Sequence, residues 1–264
     1  MNSPTTKWIF GARPNPAARM RLFCFPSAGG GATLYTPWVS QLAPEIEVYP
    51  VQLPGRENRM KEPPLQRFDD LIQALAQALQ PSLNVPYAFF GHSMGALISF
   101  GLTLHLRQQG CRLPEHLFLS AYRAPDTSLD EPLHDLPEPL FTKKLLELEG
   151  TSPEILTNDE LRRLFLPLLR ADFAVCESYQ FQAQEPLACP MTVLGGLQDK
   201  RVRQSLLELW QRQTSQRFSI HMLPGNHFFI RSAQAAVLQI ITQTLATKTA
   251  HTFSEAEGEE KLCL

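Results

Sequence analysis

Nowhere along the 264 residues do about 18 apolar residues run without interruption, so no membrane-spanning helix is expected. From Met1 to Phe10 there is no long apolar run behind a basic start, and the chain is read as cytoplasmic rather than exported. No charge sign dominates: 24 Lys and Arg stand against 26 Asp and Glu, a formal net charge of -2. Such a balance gives no global field to attract nucleic acid or an anionic bilayer, so neither is expected as a partner. The five cysteines, Cys24, Cys111, Cys176, Cys189 and Cys263, are odd in number. They show neither CxxC nor metal-type spacing, so neither a disulfide framework nor a zinc site is suggested. Cys263 is second from the end, the wrong place for prenylation. No internal repeat is found.

What is present is an alternation of two kinds of segment. Short β-branched or aromatic runs predict strands at Arg21–Phe25, Glu47–Leu53, Tyr87–Phe90, His116–Ala121, Met191–Leu194 and Phe218–Leu223. Helical periodicity marks Phe68–Leu79, Met94–Gln109, Asp159–Tyr179, Val202–Gln213 and Ala233–Ala246. This order implies an α/β fold with a mostly parallel central sheet and helices on both faces. With 44% hydrophobic residues, one domain over residues 1–248 can bury a sizeable core. The alternation breaks from about 124 to 190, where two strands are separated by more chain than a crossover helix needs. This insertion is read as a helical lid over a site; the plainer reading is a helical excursion with its own small core. The tail, residues 249–264, is polar, acidic and aperiodic, and is read as disordered.

The segment Tyr87-Ala-Phe-Phe-Gly91-His92-Ser93-Met94-Gly95-Ala-Leu97 is an apolar strand, then G-x-S-x-G, then an apolar helix. Pattern and context match the nucleophile elbow of the α/β-hydrolase fold. A sharp strand-to-helix turn forces the serine into a strained conformation, and Gly91 and Gly95 remove the side chains that would collide with it. Ser93 is therefore the candidate nucleophile. His92 adjoins it in sequence, but on an extended segment its side chain points the other way, so it is read as a packing residue.

In that fold the acid and then the base follow the serine, on loops after late strands. His227, in the turn-forming Pro224-Gly-Asn-His-Phe-Phe229, is the candidate general base. His221 lies inside a strand, His251 in the tail, His134 in the insertion, and His105 and His116 at structural positions. For the acid, Asp199 in Gly195-Gly-Leu-Gln-Asp199 is preferred, with Asp126 after the preceding strand as its competitor; either aspartate could instead cap a helix. The second oxyanion donor comes from the loop after an early strand, here Pro26-Ser-Ala-Gly-Gly-Gly31. The backbone N–H groups of Ala28 and Met94 form the candidate oxyanion hole, each worth roughly 2.7–4 kcal/mol in the transition state. As a phosphate loop the same stretch lacks the following Gly-Lys-Ser/Thr, and no cofactor or metal is expected.

These motifs, with Gln52-Leu-Pro-Gly-Arg-Glu57 and Leu169-Arg-Ala-Asp-Phe173 followed by Tyr179, resemble the type II thioesterases of modular polyketide synthases and nonribosomal peptide synthetases. The resemblance runs from Trp8 to about Leu245, with serine at position 27 where such proteins often carry histidine or another large residue. It implies Ser93, Asp199 and His227 as triad, Ala28 and Met94 as oxyanion donors, and removal of stalled acyl groups from acyl-loaded carrier proteins in antibiotic-type biosynthesis. Arg56, Arg59 and Lys61, or Arg201 and Arg203, are candidates for a basic rim that docks an acidic carrier. An esterase or a medium-chain, chain-releasing fatty acyl thioesterase is the alternative within the class. A non-catalytic binding protein on the same fold is the alternative outside it.

Overall fold

The computed structural model describes residues 7–12, 15–127, 132–148 and 150–259, with side chains described as far as 246, position 153 excepted. Six strands form one sheet: β1 Met20–Phe25, β2 Ile46–Pro50, β3 Tyr87–His92, β4 His116–Ser120, β5 Met191–Gly196 and β6 Phe218–Leu223. They lie in the order β2-β1-β3-β4-β5-β6 and every neighbouring pair is parallel. All six carboxyl ends therefore share one edge of the sheet, where crevices for ligands form in open parallel sheets.

Alternation within the strands splits the core between two faces. On β1, Phe23 and Phe25 join the cluster on one face, whereas Leu22 and Cys24 join the other; β3 divides its Phe89 and Phe90 in the same way. The first face is covered by α1 (Phe68–Leu79) and α2 (Met94–Gln108). From α1 it receives Phe68, Leu71, Ile72, Leu75 and Leu79. Each such side chain contributes about 1.5–3 kcal/mol when fully buried. α2 is buried continuously from Met94 to Leu104, because it lies beneath the sheet's centre with other elements on both flanks. Val237, Leu238, Ile241 and Leu245 of the last helix cover the second face.

Between β4 and β5 the chain makes α3 (Glu138–Glu147), α4 (Pro153–Thr157) and α5 (Asp159–Ser178). Phe141, Leu145, Leu156, Leu166 and Leu169 give these helices a small core of their own. α5 starts at Asn158, whose side chain accepts from the N–H groups of Glu160 and Leu161, satisfying two donors that a helix start leaves without partners.

The stretch expected as one helix at 202–213 is instead α6 (Gln204–Glu208) followed by a 3₁₀ segment at Leu209–Gln213. Its start is displaced because the Asp199 carboxylate takes the N–H groups of Arg201 and Val202, holding that stretch as a turn. After β6 come α7 (Phe229–Ser232) and α8 (Gln234–Glu259). The expected disorder of the tail falls on 249–259, where the backbone is helical but side chains are not described, and on 260–264, which lie outside the described residues.

Candidate active site

Ser93 sits between β3 and α2 with φ 53° and ψ -119°, a strained conformation for a residue with a side chain. Its N–H is held by the Ser120 carbonyl at 2.7 Å. A Cβ added at Gly91 would lie 2.0 Å from the Gly95 carbonyl oxygen, and one at Gly95 would lie 2.2 Å from that of Phe25. Both glycines are therefore required by close backbone approach, as the pattern anticipated.

The loops after β5 and β6 are stitched together. Leu197 N–H donates to the Leu223 carbonyl at 2.8 Å and Gln198 N–H to that of Gly225 at 2.9 Å. A Cβ at Gly196 would meet the Asn226 carbonyl oxygen at 2.5 Å, so glycine there lets the loops touch. Gly225, at φ 123°, turns the second loop back towards Ser93. The result is a continuous relay: His227 Nε2 lies 3.0 Å from Ser93 Oγ, and His227 Nδ1 lies 2.8 Å from Asp199 Oδ2. With Nδ1 donating to the carboxylate, Nε2 is left as the acceptor for the serine hydroxyl.

Burial pushes the His227 imidazole below its usual value, and the nearby Arg201 guanidinium adds to this, although Asp199 pulls it upward. The ring is thus neutral and able to accept a proton at pH 7. Burial by itself would raise the Asp199 carboxyl. The His227 hydrogen bond, with the N–H groups of Arg201 and Val202, outweighs burial and holds the carboxyl below its usual range. Asp126, the competitor, makes a 3.7 Å contact with Arg212 instead, and no bond to His227.

Ala28, Ser93, Met94 and His227 line one cavity of about 320 Å³, to which the β4–β5 excursion contributes Leu133, Leu148 and Phe173. The loop bearing Ala28 is clamped by a contact that sequence reasoning missed. Arg56 makes a fork on Asp172 of α5, at 2.8 and 2.7 Å, with the two side chains 4% and 2% exposed. Asp172 also accepts the Gly29 N–H at 2.7 Å, and Arg56 donates to the Gly30 carbonyl at 3.1 Å. The backbone on either side of the candidate oxyanion donor is thereby fixed. Arg59 is equally internal: it donates to the Gln52 carbonyl and to Glu62, and stacks over the Trp8 ring.

These contacts correct the basic rim read from the sequence. Arg56 and Arg59 are buried structural cations, and the half-buried Arg201 lines the cavity. Of the five, Lys61 and Arg203 are exposed. The charge runs gave no hint of this, because Arg56 pairs with Asp172 on α5 and Arg59 stacks on Trp8 from the start of the chain.

His92 is fully buried, with Nδ1 2.9 Å from Ser120 Oγ and its ring 5.6 Å from that of His227. It packs behind the relay, as read. His116 pairs with Thr192 inside the sheet at 2.8 Å, and His134 contacts Glu177 of α5. Among the described residues no group of three His, Cys, Asp or Glu side chains has a metal-binding arrangement. No helix among them is long and apolar enough to cross a membrane.

Comparison with known proteins adds the kinship. Residues 20–245 match the family model described as thioesterase domain. The gramicidin S biosynthesis protein GrsT of Aneurinibacillus migulanus is 43% identical over 244 residues, spanning 92% of this chain and 95% of that protein. The medium-chain S-acyl fatty acid synthase thioesterase of Rattus norvegicus is 34% identical over 221 residues, covering 82% of this chain and 83% of its own. Among solved structures, RedJ, a thioesterase from the prodiginine biosynthetic pathway of Streptomyces coelicolor, superposes with a TM-score of 0.82 at 36% identity. That superposition covers 87% of this chain and 92% of RedJ. With its parallel sheet, its serine elbow and this kinship, the chain belongs to the thioesterase family of the α/β-hydrolase fold.

Proposed function

We propose that this protein is a stand-alone type II thioesterase that hydrolyses acyl thioesters on the phosphopantetheine arms of carrier proteins, clearing stalled acyl groups from a biosynthetic assembly line. The observation that carries the reading is the relay from Ser93 through His227 to Asp199, opening into a cavity that residues of the helical excursion help to line. Kinship with GrsT and RedJ supports the substrate class, and the four free cysteines among the described residues suit a reducing cytoplasm.

In this mechanism His227 Nε2 takes the hydroxyl proton as Ser93 Oγ attacks the thioester carbonyl. The negative charge on the carbonyl oxygen falls between the N–H groups of Ala28 and Met94, the latter at the start of α2 where the helix dipole adds to the attraction. Asp199 stabilises the imidazolium that results. Collapse breaks the carbon–sulfur bond, and the departing thiol takes its proton from His227. Water then enters, gives a proton to His227 and attacks the Ser93 ester. The carboxylic acid leaves and Ser93 regains its proton. The excursion acts as a lid by keeping bulk water from the acyl-enzyme.

A second reading, a medium-chain fatty acyl thioesterase, is favoured by the likeness to the rat enzyme. Turnover of short and medium acyl groups on a phosphopantetheinylated carrier, compared with the same groups on p-nitrophenol, tests the proposal. Preference for carrier-bound short chains supports it. Preference for medium chains supports the second reading, and equal use of the phenyl esters indicates a general esterase. A folded protein that neither turns over these substrates nor reacts with a fluorophosphonate is a binding module.

A further inference from the structure

Beside the cavity that holds Ser93 lies a second of about 350 Å³, lined by the apolar Leu97, Tyr179 and Phe181 and by Asp126 and Thr127. The two cavities share three residues, Tyr122, Arg123 and Cys176. We infer that Tyr122 and Cys176, with the Arg123 guanidinium, form a fixed partition that confines the acyl chain to the first cavity, so that these residues set the upper chain length and restrict the enzyme to short acyl groups. The inference rests on the thioesterase reading above and adds the substrate class to it.

Several contacts make the partition rigid. At the end of β4 the backbone of Ala121 takes φ 53°, a costly turn for a residue with a Cβ, while its N–H is held by the Leu194 carbonyl at 2.9 Å. That turn delivers Tyr122 and Arg123 to the cavity wall. The Tyr122 carbonyl is anchored by the indole N–H of the fully buried Trp210 at 2.7 Å. From α5 comes Cys176, which lines the same two cavities as Tyr122. Burial, chiefly, pushes the thiol up to about 12, so the pair is neutral at working pH.

An alkyl chain that crossed would have to push aside the anchored Tyr122 phenol and lay methylenes against a guanidinium, leaving polar groups without water or partners. A first cavity of about 320 Å³ holds on the order of ten water-sized groups at about 30 Å³ each. The thioester and the end of the arm take part of that space, which leaves room for a short acyl group only. Removing the phenol would join this space to the apolar walls formed by Leu97, Tyr179 and Phe181, where a longer chain gains by burial.

The test uses acyl-N-acetylcysteamine thioesters from two to twelve carbons, with wild type, Tyr122→Ala, Cys176→Ala, Thr127→Trp and the double variant Tyr122→Ala/Thr127→Trp. The readout is the ratio of kcat/KM for the ten-carbon to the four-carbon substrate. Tyr122→Ala is expected to raise the ratio tenfold or more, equal to about 1.4 kcal/mol, and Cys176→Ala to raise it less. Thr127→Trp narrows the second cavity; it should cancel the gain in the double variant and leave the profile unchanged when introduced alone. An unchanged ratio in both opened variants that still label with fluorophosphonate overturns the inference alone. A shift caused by Thr127→Trp alone also overturns it, since the chain would already reach the second cavity. Wild type inert towards every chain length would remove the thioesterase reading and the inference together.

Discussion

Replacing Asp172 by asparagine keeps the shape of the side chain and removes its charge, leaving the Arg56 guanidinium buried without its counter-ion. The fork between them is short at 2.7 and 2.8 Å, and both side chains are almost completely buried. Breaking such a pair from one side costs about 3–5 kcal/mol, mostly from the stranded charge. For a domain of this size each kcal/mol lowers Tm by about 2–4 °C, so a fall of roughly 6–20 °C is expected by differential scanning calorimetry.

The second consequence concerns the loop bearing Ala28. Gly29 N–H loses a charged acceptor, and Arg56 is no longer oriented towards the Gly30 carbonyl. An oxyanion donor lost outright costs about 10²–10³ in kcat, so a displaced one should cost roughly tenfold up to that ceiling. The double variant Arg56→Met/Asp172→Leu separates the two effects: an apolar pair of similar bulk should restore most of the Tm, yet kcat should stay low because the loop remains unclamped. Asp172→Asn with wild-type Tm and wild-type kcat would refute the reasoning on both counts.

Other expectations follow from the same geometry. Gly95→Ala should abolish activity, and chemical denaturation should show it strongly destabilised, because its Cβ would lie 2.2 Å from the Phe25 carbonyl oxygen; a stable, active variant would contradict the elbow packing. Asp199→Asn should lower kcat roughly 10⁴-fold and Asp126→Asn little, since only the former carboxylate touches His227; steady-state rates that reverse this order would reassign the acid. The acid limb of kcat/KM should fall below the ordinary histidine range near 6.5, because burial holds the His227 imidazole low, and a limb above pH 7 would count against that neutral base. Stability has a linked dependence. His92 and His227 are both depressed, chiefly by burial, so below about pH 6.5 the unfolded chain takes up protons that the folded one does not. Urea midpoints should therefore hold above that pH and decline as pH falls from 6.5 to 5; midpoints flat across that window would refute the claim.

The strands were legible because each is a short apolar run ending in turn residues; Phe218–Leu223 and Phe68–Leu79 match the structure at both ends. Ser93 and His227 were legible because tight glycine-bearing turns bracket them. The Gly-Gly-x-x-Asp loop favours Asp199 over Asp126, although each follows a strand; the contact between the β5 and β6 loops is what brings the Asp199 carboxylate, and not that of Asp126, to His227. Arg56 was misread as a surface charge because its partner lies 116 positions away on α5. α3 and α4 were missed for a related reason: their few apolar residues pair with α5 rather than with the sheet, so neither shows a strong stripe. Tyr122 carried no signal, since the role inferred for it comes from the strained turn at Ala121 and from its place on the walls of two cavities.

The central claim is a covalent acyl-enzyme on Ser93, and the most direct measurement is rapid-quench intact mass spectrometry of the protein mixed with an acyl-loaded carrier protein, followed by peptide mapping. The account predicts a transient mass increase equal to the acyl group, located on the peptide containing Ser93 and absent from Ser93→Ala, which should leave the carrier loaded. Deacylation of the carrier by Ser93→Ala at the wild-type rate, or an adduct that maps to another residue, would contradict it.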